Sequence, residues 1–396
     1  MAPSSYRRAC KYDTFIPDNL GTLQRTFDVE TELEIAEAAN AIWALNHVAQ
    51  PALKPLARLL LRTESIASSK VEGMQLGVRT LAKAEAVTET NSDKVSPLAA
   101  EILSNIDAME IAVEETASVK TLSIADIENI HRRLMESAPN RHIAGRLRNQ
   151  QNWIGGNDYN PCDADYVPPP PEYVRPLLDD LCETMNSTDL STIVQAAFVH
   201  AQFETIHPFD DGNGRTGRAL IHVLLRRRGL AVSYVPPISV ILAKSKDRYI
   251  SGLSNFRKPG GEGEWAKHFA AATTSAANLA RRYLVEIQGL VKEWEQKLRS
   301  GPNPREDSYA WKIIQVLPGR PVITGPRAEE LTGGSRPSVN DAIEKLVKAG
   351  VLIPVSQGKK NRSWEAVGLL DLLARLEAGE LPERSGSGGV LASDDD

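Results

Sequence analysis

Residues 207–218 read His-Pro-Phe-Asp-Asp-Gly-Asn-Gly-Arg-Thr-Gly-Arg, a polar, glycine-rich stretch between two mostly apolar runs. These runs, Ile193 to Phe203 and Ala219 to Leu225, predict two helices, with the stretch as the loop that opens the second one. Backbone N–H groups at a helix N-terminus lack partners within the helix, and the peptide dipoles favour an anion there. The loop is therefore expected to bind phosphate.

The side chains of this loop suit the chemistry of a nucleoside triphosphate. His207 can take a proton near neutral pH. Asp211 offers the hard oxygen that Mg²⁺ prefers, while water and phosphate supply the other ligands. Gly212 and Gly214 allow successive amides to face one anion, and Asn213 adds a side-chain donor.

Two arginines complete the predicted phosphate site. Arg215 and Arg218 lie three residues apart on the second helix, so they occupy neighbouring parts of its surface. Their forked guanidinium groups can hold phosphate oxygens. Transfer of a phosphate-linked group needs mainly positioning and charge neutralisation, so ATP and Mg²⁺ are the expected substrate and cofactor.

The stretch resembles the signature of the Fic (Fic/Doc) family, His-x-Phe-x-(Asp/Glu)-Gly-Asn-Gly-Arg-x-x-Arg. The matching positions are His207, Phe209, Asp211, Gly212, Asn213, Gly214, Arg215 and Arg218. The resemblance implies transfer of AMP from ATP to a protein hydroxyl, with His207 as base and Asp211 as Mg²⁺ ligand. It also implies that residues 212–218, with Thr216 and Gly217 among them, cradle the phosphates. The alternative is a polar turn that His207 caps.

A second match to the family lies upstream. Residues 68–73, Ser-Ser-Lys-Val-Glu-Gly, fit its inhibitory pattern (Ser/Thr)-x-x-x-Glu-(Gly/Asn). Ser68 and Glu72 share a helix face because four residues separate them. The resemblance implies that Glu72 pairs with Arg218 and blocks the position of the γ-phosphate. The alternative is an ordinary solvated helix that ends at Gly73.

Residues 148–156 and 166–171 resemble the β-hairpin flap of the family. Prolines at 168–171 exclude a central strand. The edge of such a hairpin can pair with an extended peptide, so a target protein is expected to dock at residues 148–170. A surface loop without a partner is the alternative. Tyr249 loosely resembles a family segment beside the nucleotide.

Composition places limits on compartment and partners. The net charge of −5 gives no general attraction to nucleic acid. Cys10, Cys162 and Cys182 lack metal or redox spacing, which fits a reducing compartment. The sequence has neither a signal peptide nor a stretch of membrane-spanning length. A cytoplasmic protein without a membrane partner is expected.

Breaks in these patterns divide the chain. The predicted regions are an N-terminal helical region with the inhibitory helix (1–110), a catalytic domain (115–290), a winged helix-turn-helix domain (305–375) and a disordered tail (378–396). The expected fold is mainly α: a Fic-type helical bundle with a β-hairpin flap and a C-terminal winged helix.

The winged-helix prediction rests on pattern and turn chemistry. Helices are expected over Ser308–Val316 and Arg327–Leu331, a third begins after Ser335, and strands follow over Val351–Val355 and Trp364–Val367. Residues 305–365 have a net charge of only +3, so a homodimer or docking role is favoured over DNA binding. Other functions stay open: transfer of a different phosphate-linked group, removal of AMP, or nucleotide sensing by a DNA-binding regulator.

Overall fold

A computed structural model of the chain describes residues 10–23, 26–47, 54–88, 95–355 and 362–382. Its α-helices are α1 (Val29–His47), α2 (Lys54–Val71), α3 (Val78–Thr88), α4 (Pro97–Glu114), α5 (Ile124–Leu134), α6 (Pro171–Asn186), α7 (Thr192–Ile206), α8 (Asn213–Arg227), α9 (Ile238–Lys244), α10 (Lys246–Phe256), α11 (Glu262–Ser300), α12 (Tyr309–Val316), α13 (Gly325–Thr332), α14 (Arg336–Lys348) and α15 (Leu369–Glu377). The strands β1 (Val322–Thr324), β2 (Leu352–Pro354) and β3 (Ser363–Ala366) form an antiparallel sheet in the order β1-β3-β2. The prediction of a mainly α fold is confirmed.

Helix α7 lies at the centre of the fold. Its side chains from Ile193 to Ile206 are all buried, and a helix without an exposed face must be enclosed by other elements. It packs against α6, α8, α11 and α1. Helices α7 and α8 are the two helices that the apolar runs predicted, and they hold both ends of the loop at residues 207–212. None of the described helices has the length and apolar character needed to cross a membrane.

Helix α2, which carries the inhibitory pattern, lies against α4, α8 and α9. The buried carboxylate of Glu64 accepts hydrogen bonds from N and Oγ of Ser239 at 2.8 and 2.5 Å. Its Oε1 also lies 2.8 Å from Nε2 of His222 on α8. Because Glu64, Ser68 and Glu72 follow one another at intervals of four, the same side of α2 faces α8 along its length. These contacts fix the position of α2 against the helix that opens with the signature.

The C-terminal region contains the elements that the sequence predicted for it. Helices α12 and α13 correspond to the first two expected helices, and α14 begins after its N-cap Ser335. Strands β2 and β3 correspond to the two expected strands, while β1 and α15 were not predicted. Residues 356–361 of the wing and 383–396 of the tail lie outside the described residues. The identification of a winged helix-turn-helix stays a prediction.

Ion pairs connect this C-terminal region to the N-terminal helices. Glu85 of α3 accepts hydrogen bonds from Arg62 of α2 and from Arg320, which precedes β1. Burial raises the pKa of Glu85, but the guanidinium groups outweigh burial and hold this pKa below its usual value. Arg79 of α3 pairs with Glu365 of β3 at 3.0 Å. The predicted regions 1–110 and 305–375 thus share one interface.

The flap and the cysteines differ from expectation. The flap contains one antiparallel β-bridge, between Ile154 and Tyr166, in place of a hairpin of two regular strands. Cys10 and Cys162 form a disulfide across 152 residues of sequence, and Cys182 is free and buried. The inference of a reducing compartment from unpaired cysteines therefore loses its basis. Local spacing could not reveal this pair, because only the fold brings the N-terminal segment to the flap.

Candidate functional site

The loop between α7 and α8 has a defined backbone. His207 ends α7 in the left-handed region, with φ 49° and ψ 61°, and Gly212 precedes α8 with φ 78°. Asn213 Oδ1 accepts a hydrogen bond from the Phe209 N–H at 2.9 Å, and Asn213 Nδ2 donates to the Phe209 carbonyl at 2.8 Å. Asn213, which was expected to donate to phosphate, therefore uses its amide to close the loop on itself.

His131 of α5 supports this loop, and the sequence analysis missed it. Its ring stacks on Phe209 with the centroids 3.7 Å apart. His131 Nδ1 accepts from the Gly145 N–H, so Nε2 carries the proton and donates to the Asp211 carbonyl, each at 2.9 Å. Burial lowers the pKa of His131 to about 4, which keeps the ring in this neutral form. These partners lie 14 and 80 residues away in sequence, so no local pattern marks the residue.

The carboxylate of Glu72 lies at the N-terminus of α8. A Cβ atom on Gly214 would be 2.0 Å from Glu72 Oε1, so the carboxylate lies directly against this glycine. The chain reaches the position because Gly73, with φ 83°, ends α2 and turns the backbone away. Free N–H groups and the helix dipole favour an anion here. Glu72 thus occupies the place where the sequence predicted phosphate.

Arg218 is buried and connects α8 to α2. Its NH2 group donates to Glu72 Oε1 at 2.7 Å and to the Ser68 carbonyl at 2.9 Å, while Nε donates to Ser68 Oγ at 2.8 Å. Burial raises the pKa of Glu72, but the Arg218 guanidinium outweighs burial and holds this pKa below its usual value. Glu72 is 39% exposed, so the pair faces solvent on its carboxylate side. The expected pair of Glu72 with Arg218 is present, and Ser68, which was expected only to share the helix face of Glu72, contacts the same arginine.

The other signature arginine has its hydrogen-bond partners on α4, while its NH2 group lies 3.8 Å from Asp211 Oδ1. Arg215 NH1 donates to Glu101 Oε1 at 3.0 Å and to Asn105 Oδ1 at 3.4 Å, both on α4. Thr216 is also engaged elsewhere, since its Oγ1 donates to the Gly212 carbonyl at 2.9 Å. The expectation that Arg215 and the Thr216 side chain hold phosphate therefore differs from the observed contacts. Spacing on a helix gives relative direction, whereas the neighbouring helix α4 decides the partner.

Two further predicted residues pack behind Arg218. A Cβ atom on Gly217 would lie 2.6 Å from Glu204 Oε1 on α7, so this glycine allows α7 and α8 to approach closely. Tyr249 is buried, and its hydroxyl lies 2.9 Å from His200 Nε2. Both residues thus contact side chains of α7, and their contact with nucleotide stays a prediction.

Asp211 is the residue predicted to hold Mg²⁺. Its side chain is 53% exposed, and it accepts hydrogen bonds from Asn140 Nδ2 at 2.9 Å and from the Gly212 N–H at 2.6 Å. Within the described ranges, no group of three His, Cys, Asp or Glu side chains could hold a metal. A single exposed carboxylate beside an anion site fits Mg²⁺ that takes its other ligands from water and phosphate.

The imidazole of His207 is suited to accept a proton. Its Nδ1 is buried and has no hydrogen-bond partner among the residues described. Burial lowers the pKa of His207 to about 4, and the positive charge of Arg148 acts in the same direction. The ring is therefore neutral at pH 7. Its backbone carbonyl accepts a hydrogen bond from Arg148 Nε at 2.8 Å.

Fold and site together define a helical protein in which the Glu72 carboxylate lies at the N-terminus of α8 and pairs with Arg218. Residues 121–225 match the model of the Fic/DOC family, and residues 33–114 match that of the Fic/DOC family N-terminal region. Residues 121–225 thus form a Fic/DOC domain, and the residues before it resemble the N-terminal region of the same family.

Two relatives and one solved structure describe its place in the family. The chain is 33% identical over 135 residues to protein adenylyltransferase fic-1 of Caenorhabditis elegans, across 33% of this chain and 23% of that protein. It is 28% identical over 270 residues to protein adenylyltransferase Fic of Drosophila willistoni, across 64% and 50%. The matches thus span half of these relatives or less. A Fic family protein from Desulfovibrio desulfuricans G20 has a similar fold, with a TM-score of 0.55, 19% identity, and coverage of 87% of this chain and 97% of that one.

Proposed function

We propose that the protein is an adenylyltransferase that transfers AMP from ATP to a Ser, Thr or Tyr hydroxyl of a target protein, with Mg²⁺ as cofactor. The names of the two relatives support this reaction. The observation that carries the proposal is the N-terminus of α8. There the Glu72 carboxylate pairs with the buried Arg218 and takes the place of a phosphate, and its charge acts on the neutral His207 at the other end of the loop.

In this proposal, each step of the transfer is assigned to a group of the site. The hydroxyl oxygen of the target bonds to the α-phosphorus, and the bond from that phosphorus to the oxygen of the β-phosphate breaks. Pyrophosphate leaves, and His207 accepts the hydroxyl proton. Arg218 and the N–H groups of α8 hold phosphate oxygens. Mg²⁺ at Asp211 would neutralise part of the phosphate charge.

Glu72 is the autoinhibitory residue in this proposal. It uses the Arg218 donor that a phosphate would need, and it lies on Gly214 where the phosphate would enter. ATP and the carboxylate therefore compete for the same donors. Movement of Glu72 away from α8 frees the site without a change in the loop.

The flap, residues 148–170, is the proposed docking site for the target. Asn152 Nδ2 donates to the Phe209 carbonyl at 3.0 Å and lies 3.4 Å from the His207 carbonyl, so the flap is joined to the loop of the base. Ile154 and Tyr159 are exposed on the flap. A peptide that binds along this surface lies close to the proposed base.

Isotopic labelling of ATP tests the reaction. A Glu72→Gly protein should transfer label from α-labelled but not from γ-labelled ATP to itself or to lysate proteins, and wild type should transfer less. His207→Ala in the same background should lower the rate about 10²- to 10⁴-fold while ATP still binds. His142→Ala, which removes an exposed histidine, is the matched control. Label from the γ-phosphate, or a His207→Ala protein with undiminished turnover, would contradict the proposal.

A further inference from the structure

Arg148 has an unusual set of partners for a buried arginine. Its exposed fraction is 3%, and no ion pair is found for it within the described part of the chain. Its side chain donates to backbone carbonyls only: His207 at 2.8 Å, Gln150 at 3.1 Å, Pro169 at 2.5 Å and Ile206 at 3.3 Å. Burial lowers the pKa of Arg148 to about 10, and the group stays charged at neutral pH.

The helix end explains why this charge is tolerated without a close ion pair. The last carbonyls of α7 have no partner inside the helix, and the negative end of the helix dipole lies there. Arg148 meets both Ile206 and His207 at this end. It therefore supplies donors and positive charge where α7 lacks them.

The same contact determines the orientation of the base. A left-handed backbone is unfavourable for a residue with a side chain, and His207 adopts it with φ 49°. Nε of Arg148 holds the His207 carbonyl, and the backbone N–H of Arg148 donates to the Pro208 carbonyl at 2.9 Å. Two successive peptide groups are thus fixed from one residue, which fixes the backbone position from which the imidazole extends.

Arg148 also belongs to the flap. Its NH1 and NH2 groups hold the carbonyls of Gln150 and Pro169, which lie on the two arms of the flap. We propose that Arg148 is a positioning residue that holds His207 in its left-handed conformation and keeps the flap in fixed register with it. This inference rests on the proposed function of His207 as base. Arg148 itself touches neither ATP nor the target hydroxyl in this scheme.

Two substitutions separate the geometric effect of Arg148 on His207 from its electrostatic effect. Arg148→Lys keeps the positive charge but loses the forked donors, whereas Arg148→Gln loses both. In the Glu72→Gly background, both should lower kcat about 10- to 100-fold, because a displacement of about 1 Å at a reacting group costs up to about 10². The Kd for ATP should stay within about twofold of the parent, since Arg218 and α8 are unchanged.

The dependence of kcat on pH distinguishes a positioning role of Arg148 from a merely structural one, because loss of stability alone would not shift it. The Arg148 charge disfavours protonated His207, so its removal raises the pKa of that histidine. The base is active when neutral, and the acid limb of kcat should therefore move to higher pH in Arg148→Gln. It should stay near the parent position in Arg148→Lys.

Arg227 offers the matched control on the same helix as the signature. Its guanidinium also donates to backbone carbonyls, those of Val119 and Lys120, at the opposite end of α8. Arg227→Gln should lower stability but leave kcat per folded molecule and its acid limb unchanged. An Arg148→Lys protein with parental kcat would overturn the positioning role, and so would loss of ATP binding in step with kcat in both variants.

A titration by NMR keeps this test independent of transfer activity. The ring C–H signals of His207, identified by their loss in His207→Ala, report its pKa directly. A higher pKa in Arg148→Gln than in the parent supports the inference even if no AMP is transferred. An unchanged pKa would contradict the electrostatic effect of Arg148 on His207. Absence of transfer in every variant, by contrast, would contradict the proposed function.

Discussion

Replacement of Glu72 by glutamine should convert the anion site from self-occupied to open for ATP. Glutamine keeps the size of the side chain but removes the charge that pairs with Arg218 NH2 at 2.7 Å. It also removes the negative charge from the N-terminus of α8, where Glu72 lies against Gly214. ATP then meets no competing anion.

The size of the expected change in the Kd for ATP follows from the exposure of the Glu72–Arg218 pair. A hydrogen bond to a charged group contributes about 1.5–3 kcal/mol, and the 39% exposure of Glu72 places this one at the lower end. Since about 1.4 kcal/mol corresponds to a tenfold change in Kd, ATP should bind about tenfold more tightly to Glu72→Gln. Glu72→Gly should exceed this because it also removes the side chain that covers Gly214.

Stability should change in opposite directions with and without ligand. Without ATP, Glu72→Gln should lower the free energy of unfolding by about 1–2 kcal/mol, because Arg218 keeps its Ser68 contacts but loses its carboxylate. ATP at about 100 times Kd should then add about 2.7 kcal/mol. Calorimetry gives the Kd, and urea denaturation with and without Mg·ATP gives the stability.

Glu101→Gln is the matched control, since Glu101 pairs with the other signature arginine, Arg215, at 3.0 Å. Its loss should leave the Kd for ATP unchanged, because this pair lies on the α4 side of α8. Equal Kd values for wild type and Glu72→Gln would refute the competition between carboxylate and phosphate. An equal gain in Glu101→Gln would show that the affinity for ATP depends on the loss of any nearby negative charge, and not on removal of the carboxylate that occupies the site.

The remaining predictions concern packing and the C-terminal region. Gly217→Ala should destabilise the protein by about 1–3 kcal/mol in urea denaturation, because the added Cβ would overlap a buried side chain. Gly289→Ala is the contrasting case: this glycine lies in open space on α11, so the substitution should stabilise the protein by about 0.5–1 kcal/mol. Glu85→Gln should cost about 3–5 kcal/mol, since it removes the buried negative charge that Arg62 and Arg320 share; a loss below about 1 kcal/mol would contradict this. The C-terminal region should bind duplex DNA only weakly. Arg336→Ala should change the slope of log affinity against log salt concentration by less than the value of about 0.9 that one phosphate contact contributes. Deletion of residues 305–396 should halve the mass in light scattering if the region joins two subunits, and a monomer before and after deletion rules out that role.

The sequence alone determined the features that depend on neighbours along the chain. The loop from His207 to Arg218 lies between two helices because the flanking runs are apolar and glycines allow the turn. Ser68 and Glu72 share one face because helical geometry repeats every 3.6 residues. Helix α14 begins directly after Ser335, as the Gly-Gly turn and the N-cap preference of serine predicted. Each of these interactions spans a few residues, so pattern and propensity suffice to predict it.

Only the tertiary structure decided which partners these side chains meet. The family resemblance indicated Glu72 as the partner of Arg218, but only the fold places the Glu101 carboxylate of α4 beside Arg215 and Ser68 of α2 beside Arg218. His131 and Arg148 reach the loop from elements far away in sequence. Such contacts depend on how helices pack, because a buried polar group bonds to whatever donor or acceptor the fold brings within about 3 Å, and no local pattern encodes that distance.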